Sequence, residues 1–357
     1  MEKFSNYRDA GTGIQPFLKP LPPGGSEVLA QATLPLRYFL AALRTALVLV
    51  LALAYIVIVR LALLIFYPIR PLYDSLAHLG TAILGRSALF IIGLFWVPVD
   101  QITKKRKAVP KNAQVPWNPK AGDIIVSNWV SWIELIWLAI RFNPIFVLPA
   151  TSPIAYTPGR RTGTGSANIQ QTARTPSPRI PIVGFRQVSL LQMITSTGHV
   201  PRASSSFDSI EDIRKTARRP IVVFPECTTS NGRGLLRFAN VFKMAVPVKG
   251  FNVFVMCVRY DPPTAFTPSL AHSIPSNFLN PLVHLFSLAA SPSPLSISIR
   301  LLSLSDSPSS QLFMANEYVS LTETCVALIA QIGKLKQTGM GWEDKASLLE
   351  FYWGKKR

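Results

Sequence analysis

The sequence predicts an α/β fold, a mixed sheet flanked by helices, preceded by a hydrophobic helical segment that anchors the chain in a membrane. Residues 45–67 form an apolar run whose only charged residue is Arg60. Beyond Asp123, short β-like runs alternate with helical stretches, which is typical of layered α/β domains. The 357 residues are 48% hydrophobic and 15% charged, with a net charge of +19. This composition excludes a disordered basic protein, because such a chain lacks apolar and aromatic residues.

The first apolar run is long enough to cross a bilayer, because its 23 residues exceed the roughly 20 that a helix rising about 1.5 Å per residue needs. A second run at 79–99 contains Arg86 and several glycines, so it fits a second span, a re-entrant leg or an interfacial helix. We therefore predict a cytosolic segment over residues 1–37 and a membrane anchor over residues 38–100. The anchor is a hairpin with both ends in the cytosol, or else one to two spans.

The positive charge is concentrated behind the anchor, where residues 101–260 hold 22 basic and 6 acidic side chains. Residues 104–107 read Lys-Lys-Arg-Lys, and no acid occurs in residues 101–122. A basic cluster beside a membrane segment favours the cytosolic face and anionic lipid headgroups. We predict a basic juxtamembrane linker over residues 101–122, with membrane lipids as partners. Nucleic acid is not an expected partner, since no nucleic-acid-binding module is recognisable.

Residues 123–305 are predicted to form the α/β domain. The candidate strands are short apolar runs at 124–127, 145–148, 221–224, 246–249 and 253–260. The candidate helices lie at 131–142, 187–196 and 207–218. Residues 306–357 are predicted to contain two C-terminal helices, at 312–336 and 342–353.

Two long connections interrupt this pattern. Residues 151–181 are dominated by Pro, Thr, Ser, Gly and Arg, which predicts a low-complexity insert. Its Ser-Pro and Thr-Pro pairs are either phosphorylation sites or parts of a plain linker. Residues 262–294, rich in Pro and Ser, form the second connection. The three cysteines show no metal-ligand spacing, so no metal site is expected.

Three polar clusters lie at the ends of predicted elements: residues 127–134 read SNWVSWIE, residues 198–202 read GHVPR, and residues 224–233 read FPECTTSNGR. The third cluster follows an apolar strand, and open α/β sheets bind ligands at the carboxyl ends of their strands. Its hydroxyls, backbone amides and Arg233 suit a phosphate. A plain capped turn explains the same residues equally well.

The third cluster, extended to FPECTTSNGRGLLRF, resembles the FPEGTxS block of the glycerolipid acyltransferases, the lysophospholipid acyltransferase superfamily. SNWVSWIE stands where that family has its NHxxxxD block, GHVPR matches its Gly-x-x-x-Arg block, and residues 245–248 suit its fourth, apolar-proline block. The start of the chain, MEKFSNYRDAGTGIQPFL, is similar to a fungal branch named for lysophosphatidic acid:oleoyl-CoA acyltransferase and for vacuolar protein sorting.

The resemblance implies a membrane-bound enzyme that moves a fatty acyl group from acyl-CoA to a lysophospholipid. The preferred acceptor is lysophosphatidic acid, which would become phosphatidic acid. Acyl-CoA would be a co-substrate, and no bound cofactor is implied. The implied setting is glycerolipid or triacylglycerol synthesis at the endoplasmic reticulum membrane or a lipid droplet, with the α/β domain in the cytosol.

The resemblance also implies a set of substrate-binding residues: Arg202, Glu226, Cys227, Thr228, Ser230, Arg233 and Pro247. Glu226, Thr228 and Ser230 would bind the glycerol phosphate of the acceptor, and Arg202 would contact its phosphate. Pro247 would shape the acyl or acceptor pocket. Cys227 replaces the glycine of the block, and Thr229 replaces an arginine whose absence Arg233 would offset.

The general base of the family is missing from its place. The family histidine activates the acceptor hydroxyl and an acid five residues later orients it, whereas this chain has Trp129 and Glu134. An indole nitrogen donates a hydrogen bond but cannot accept a proton. His199 is a candidate substitute base; the alternatives are Glu134 or Glu226 with a raised pKa, or Cys227 as a nucleophile. The competing hypothesis is a catalytically impaired relative that binds lipid as a membrane adaptor in trafficking or on lipid droplets.

Overall fold

A computed structural model describes residues 4–22, 31–105, 108–110, 115–151, 179–204, 206–310, 313 and 320–354. Most of the insert predicted at 151–181, namely residues 152–178 with their Ser-Pro and Thr-Pro pairs, lies outside the described residues, as do residues 106 and 107 of the basic run. The helices are α1 (Leu34–Ala54), α2 (Arg70–Ile92), α3 (Ile133–Phe142), α4 (Leu190–Thr195), α5 (Ile210–Thr216), α6 (Leu282–Ala289), α7 (Leu321–Gly333) and α8 (Trp342–Gly354).

The described strands form a main mixed sheet and a separate two-stranded sheet, and the main sheet confirms the predicted α/β class. They are β1 (Val99–Ile102), β2 (Ile124–Ser127), β3 (Ile145–Thr151), β4 (Ile182–Val188), β5 (Arg202–Ala203), β6 (Ile221–Val223), β7 (Gly234–Leu235), β8 (Val253–Tyr260), β9 (Ile297–Leu302) and β10 (Lys336–Gln337). The main sheet has the order β1-β9-β8-β2-β6-β3-β4, with β5 also paired to β3. Strands β8, β2, β6 and β3 are mutually parallel, so their carboxyl ends meet at one edge.

The central strands are buried on both faces, which explains why their sequences are almost continuously apolar. In β2, Ile125 packs into a core that contains α3 and α6, whereas Ile124 and Val126 pack into a core that contains α5 and α7. This alternation follows from the two-residue period of a strand. The sheet is therefore covered by helices on both sides, as the sequence predicts.

The predicted strands at 124–127 and 253–260 are confirmed with the same boundaries, while that at 145–148 extends to Thr151 and that at 221–224 ends at Val223. The predicted strand at 246–249 is wrong: Val246 and Val248 are buried, but no strand forms there. Pro247 between them has no N–H for a strand ladder, which gives the physical reason.

Several elements differ from the sequence prediction in the part of the chain that is described. The expected helix at 187–196 starts only at Leu190, because the Ser189 side chain caps its first turn in a reciprocal pair with Gln192. The long connection at 262–294 contains α6. The structure also contains β1, β4 and β9, which lie outside the predicted strands.

The N-terminal apolar region is a helical hairpin. Helix α1 continues through π-helical and 3-10 turns to Phe66, and α2 runs antiparallel to it. The stretches Leu34–Phe66 and Arg70–Ile92 are both long and apolar enough to cross a membrane, by length and composition. The second apolar run leaves the helix at Gly93, whose φ is 106°, and its last residue enters β1. Membrane insertion of the hairpin stays a prediction.

One end of the hairpin is attached to the α/β domain. The Arg44 guanidinium donates to the carbonyl oxygens of Ala289 at 3.3 Å and Ser291 at 2.7 Å, and Arg37 donates to that of Ala290 at 3.4 Å. These carbonyls belong to the end of α6, where cations satisfy unpaired backbone oxygens. Further along, α1 and α2 expose many apolar side chains. The hairpin is thus fixed to the domain at one end and presents an apolar surface beyond it.

The two ends of the described chain pack together. Phe17 is fully buried in a small cluster with Leu236, Met340 and Leu348, and the Phe4 ring meets Phe351 edge-on at 6.0 Å. The first described segment therefore lies against α8, next to the loop that follows β6. The helix predicted at 342–353 is confirmed as α8, and the one predicted at 312–336 is α7, whose first turn is capped by Ser320.

Candidate active site

A cavity of about 340 Å³ lies beside the carboxyl ends of β2, β3 and β6. Its described lining residues are Trp129, Leu148, Pro149, Ala150, Arg186, Thr195, Ser196, His199, Val200, Pro201, Arg202, Ala203, Ser204 and Cys227. The lining includes residues from all three polar clusters of the sequence, among them Trp129, Arg202 and Cys227. No carboxylate is among the described residues that line it, whereas two arginines are. The cavity therefore suits an anion.

The two arginines lie on the same face of the sheet edge. Arg186 of β4 pairs with Leu148 of β3, and Arg202 of β5 pairs with Ala150. Because Leu148 and Ala150 are two residues apart, their partners share a face. Both arginines are exposed where they line the cavity. Guanidinium groups bind phosphate oxygens through paired N–H donors, so this arrangement can hold a phosphate from two sides.

Trp129 stands where the sequence resemblance predicts a histidine. It is 1% exposed, lines the cavity, and stacks on Phe224 with the ring centroids 5.1 Å apart. Its Nε1 is buried without a hydrogen-bond partner among the described residues. Since an indole N–H only donates, this position offers a hydrogen-bond donor and no base.

Glu134 caps the turn before α3. Its Oε1 accepts from the backbone N–H groups of Val130 and Ser131, each at 2.6 Å, and its Oε2 accepts from the Tyr260 hydroxyl. Burial raises the pKa of Glu134 to about 7, although these three donors favour the ionised form. The carboxyl is absent from the described lining of the cavity, so its side chain supports the backbone around residue 129.

Glu226 joins two loops of the site. Its Oε2 accepts from the Trp129 backbone N–H at 2.6 Å, and its Oε1 accepts from the Leu236 backbone N–H at 2.8 Å. Burial raises the pKa of Glu226 to about 8, against the lowering effect of these hydrogen bonds. Both carboxyl oxygens thus hold the protein backbone. Contact between Glu226 and a substrate stays a prediction.

The turn after β6 begins with Cys227, which has a φ of 58°. This is the left-handed region that glycine adopts most easily, so a glycine at this place in the resembled block has a conformational reason. Burial raises the pKa of the Cys227 thiol well above its ordinary value, which disfavours the nucleophilic thiolate. Ser230 closes the turn: its N–H donates to the Trp129 carbonyl at 3.0 Å, and its Oγ accepts from the Gly232 N–H at 3.2 Å.

The two threonines of the turn are buried and hydrogen-bonded. The Thr228 hydroxyl donates to the His199 carbonyl at 2.8 Å, and the Thr229 hydroxyl donates to the His272 carbonyl at 2.6 Å. Each hydroxyl also accepts a hydrogen bond from the Lys345 ammonium, at 2.8 Å for Thr228 and 3.1 Å for Thr229. The turn is therefore tied to its neighbours by the hydroxyls that were predicted to bind phosphate.

His199 is half-buried and lines the cavity. Burial lowers its pKa to about 4, and the positive charges of Arg202 and Lys345 act in the same direction. Its imidazole is therefore neutral at pH 7 and has a lone pair that can accept a proton, although as a weak base. Among the candidate bases of the sequence analysis, it is the one that lines the cavity.

Arg233 and Pro247 lie away from this cavity. Arg233 is exposed and lines a separate cavity of about 250 Å³ that also contains Arg259 and Lys334. Pro247 is exposed and is absent from the described lining of both cavities. Their contacts with a substrate stay predictions.

An apolar cavity of about 330 Å³ adjoins the cationic one. Its walls are the hairpin helices α1 and α2 on one side and α3, α4 and α6 on the other, with residues such as Val48, Leu84, Ile136 and Leu285. Thr195, at the end of α4, lines both cavities. The cavity that contains the arginines and the apolar cavity therefore meet at this residue.

Sequence reasoning missed three residues that shape the site: Arg186, Tyr260 and Lys345. A strand prediction over Ile182–Val188 would have placed Arg186 on a strand. The stretch shows no regular alternation of apolar and polar residues, so the sequence did not predict β4. Tyr260 ends a correctly predicted strand, yet its contact with Glu134 spans 126 residues. Lys345 is the single basic residue of the amphipathic helix predicted at 342–353, and nothing in the neighbouring residues predicts that it is buried.

Comparisons with known proteins give a structural likeness and nothing else. No family model matches the chain, and no curated protein matches it significantly. A match among solved structures is the crystal structure of the 1-acyl-sn-glycerophosphate (LPA) acyltransferase PlsC from Thermotoga maritima, with a TM-score of 0.42 and 15% sequence identity. The match covers 84% of this chain and 96% of that chain.

Proposed function

We propose that the protein is an acyltransferase that moves an acyl group from acyl-CoA to the free hydroxyl of a lysophospholipid, with lysophosphatidic acid as the acceptor. The observation that carries this proposal is the meeting, at Thr195, of a cavity containing two arginines and an apolar cavity beneath the helical hairpin. A lysophospholipid has the same two parts, an anionic phosphate and an acyl chain.

The cationic cavity favours a phosphate monoester as the head group. Arg186 and Arg202 supply two guanidinium groups, and no described lining residue is an acid. A monoester phosphate carries nearly two negative charges near neutral pH, so it gains from both arginines. A zwitterionic head group would bring a cation that finds no carboxylate among these residues.

The chemistry assigned to the site is a direct transfer. His199 accepts the proton of the acceptor hydroxyl, the hydroxyl oxygen attacks the thioester carbonyl carbon, and the carbon–sulfur bond breaks. The CoA thiolate leaves and recovers the proton from the imidazolium. Because a pKa near 4 makes His199 a weak base, we expect slow turnover.

The apolar hairpin supports a membrane location for this reaction. Its exposed apolar side chains face away from the domain, and the apolar cavity lies along its inner side. An acyl chain can then enter from the lipid without crossing water. We propose the endoplasmic reticulum membrane or a lipid droplet as the location, with the α/β domain in the cytosol.

Trp129 favours a second function, that of a lipid-binding membrane adaptor. Trp129 stands where the resemblance predicts a histidine that acts as the base, so this position cannot accept a proton. The two arginines and the apolar cavity still provide the contacts that binding of an anionic lipid requires. The two hypotheses share the ligand and differ in turnover.

Acyl transfer by the purified full-length protein in bilayer nanodiscs, from labelled oleoyl-CoA to lysophosphatidic acid, tests the proposal. We expect Arg202→Ala or Arg186→Ala to raise KM roughly tenfold to hundredfold, since each removes a hydrogen bond to a charged group. His199→Gln should lower kcat with little effect on KM. The matched control is His78→Gln, because His78 contacts the Ile140 carbonyl on the hairpin side, away from the cavity.

Wild-type turnover no higher than that of an Arg186→Ala, Arg202→Ala double variant would contradict the enzyme hypothesis. If lysophosphatidic acid still bound the wild type but not that variant, the adaptor hypothesis would replace it. Equal binding to both proteins would contradict both hypotheses.

A further inference from the structure

Lys345 of α8 is a lysine with no exposed surface, inserted beside the turn at residues 227–230. Its Nζ lies 2.8 Å from the Thr228 hydroxyl oxygen, 2.8 Å from the Thr229 carbonyl oxygen and 3.1 Å from the Thr229 hydroxyl oxygen. None of these partners is charged. A fully buried lysine is rare unless a specific set of acceptors holds it.

The hydrogen-bond pattern identifies Lys345 as the protonated ammonium. The hydroxyl hydrogens of Thr228 and Thr229 are already donated to the carbonyls of His199 and His272, so both hydroxyls must accept from Lys345. The third partner is a carbonyl, which only accepts. Three acceptors need three N–H donors, and a neutral amine has two. Burial lowers the pKa of Lys345 well below its ordinary value, while the nearby Glu226 carboxyl raises it.

These contacts connect the C-terminal helix to the walls of the cationic cavity. Through Thr228, the Lys345 ammonium reaches the backbone of His199, whose ring lines the cavity. Cys227, directly before Thr228, lines the same cavity. Lys345 therefore contacts the turn directly and the His199 segment only through the Thr228 hydroxyl.

We propose that Lys345 is a positioning residue that locks the 227–230 turn to the His199 segment, so that the cavity is complete only when α8 is docked. The inference rests on the proposed function, which assigns the cavity to substrate binding. The positions of the turn and of His199 can be measured without measuring acyl transfer.

Native-state thiol labelling tests the inference on the full-length protein in detergent. The three cysteines are all free and buried, and peptide mass spectrometry follows each one separately. In Lys345→Met the three acceptors lose a charged donor, so we expect Cys227 to react with a maleimide about tenfold to hundredfold faster. Cys325, in the core of α7, should keep its wild-type rate. Lys336→Met, at an exposed position, is the matched control and should change neither rate.

A second measurement separates positioning from general support of the fold. Burial, together with the positive charges of Arg202 and Lys345, lowers the pKa of His199 to about 4, so removing the Lys345 charge should raise it. We expect the NMR titration of His199, assigned with His199→Gln, to move upward in Lys345→Met. The titratable groups that interact with the charge of Lys345 are Glu226, His199 and His272. Lys345→Met leaves Glu226 and His272 unchanged, so a shift of the His199 titration reports the loss of the Lys345 charge.

Thr228→Val keeps the inference testable if Lys345→Met does not fold. This variant cuts the link between Lys345 and His199 while leaving the ammonium two acceptors on Thr229. We expect a smaller acceleration of Cys227 labelling, with Cys325 again unchanged. Equal acceleration of both thiols, an unchanged Cys227 rate or an unmoved His199 titration would overturn the proposal. Loss of acyl transfer alone would bear on the proposed function and not on this one.

Discussion

Replacement of Glu226 by glutamine tests whether this carboxyl supports the site or binds substrate. The side chain is fully buried, and each oxygen accepts from one backbone N–H, that of Trp129 or that of Leu236. A glutamine has one acceptor oxygen and one NH₂ group, so one of these buried amides must lose its partner. An unpaired buried donor costs about 1–3 kcal/mol.

The raised pKa of Glu226 also makes the free energy of unfolding of the wild type depend on pH. Between the ordinary pKa of 4.5 and the folded value of about 8, the folded protein retains a proton that the unfolded chain has released. The free energy of unfolding therefore falls as pH rises through this window, at 1.36 kcal/mol per pH unit, to a total of about 4–5 kcal/mol. Glutamine does not titrate, so this part of the slope disappears in the variant.

Thermal unfolding of the wild type and Glu226→Gln in detergent between pH 5 and pH 8 measures both effects. We expect the variant to be less stable at pH 5 and to approach or exceed the wild type at pH 8. The difference in stability between the two proteins at each pH isolates the contribution of Glu226 from that of other buried acids such as Glu134. Glu350→Gln, at an exposed position of α8, is the control and should follow the wild type throughout.

A constant difference in melting temperature from pH 5 to pH 8 would refute the reasoning about the raised pKa. Unchanged stability combined with a large loss of lysophosphatidic acid binding would refute the supporting role itself, because Glu226 would then act as a substrate ligand. The two outcomes are read from separate measurements on the same protein.

Two further substitutions test the role of Trp129 and the hydrogen bond between Tyr260 and Glu134. Trp129→His should lower stability by about 2–3 kcal/mol, because the smaller ring leaves space over Phe224, and thermal unfolding measures this. The variant should raise the rate of single-turnover acyl transfer by less than the roughly 100-fold that a base supplies. The reason is that Glu134 already accepts from three donors and is not available to orient the new histidine. A gain of about 1000-fold in this rate would contradict the prediction. Tyr260→Phe removes a donor to Glu134 and should destabilise the protein by about 1.5–3 kcal/mol at pH 8, where the carboxylate is ionised. The loss should be smaller at pH 5, and an equal loss at both pH values would show that ionisation of Glu134 is irrelevant.

Local sequence patterns predicted the elements whose character depends on neighbouring residues. The apolar runs at Ile124–Ser127 and Val253–Tyr260 are strands because both of their faces are covered, and their composition already shows it. The long apolar N-terminal run at residues 45–67 likewise forms helical structure, since it contains no proline that would break a helix. The strand predicted across Pro247 failed, because apolar composition suggested a strand where the proline removes a ladder donor.

The sequence by itself determined the α/β class, the apolar hairpin and the polar clusters that meet at the carboxyl edge of the sheet. Tertiary structure decided what those polar residues contact. Glu134 meets Tyr260, and Thr228 meets Lys345, across 126 and 117 residues of chain. Such contacts have no periodicity, because they depend on how distant elements pack and which buried donors remain to be satisfied. The block residues are therefore visible in the sequence, but whether each one faces the cavity or holds the backbone is decided only by the fold.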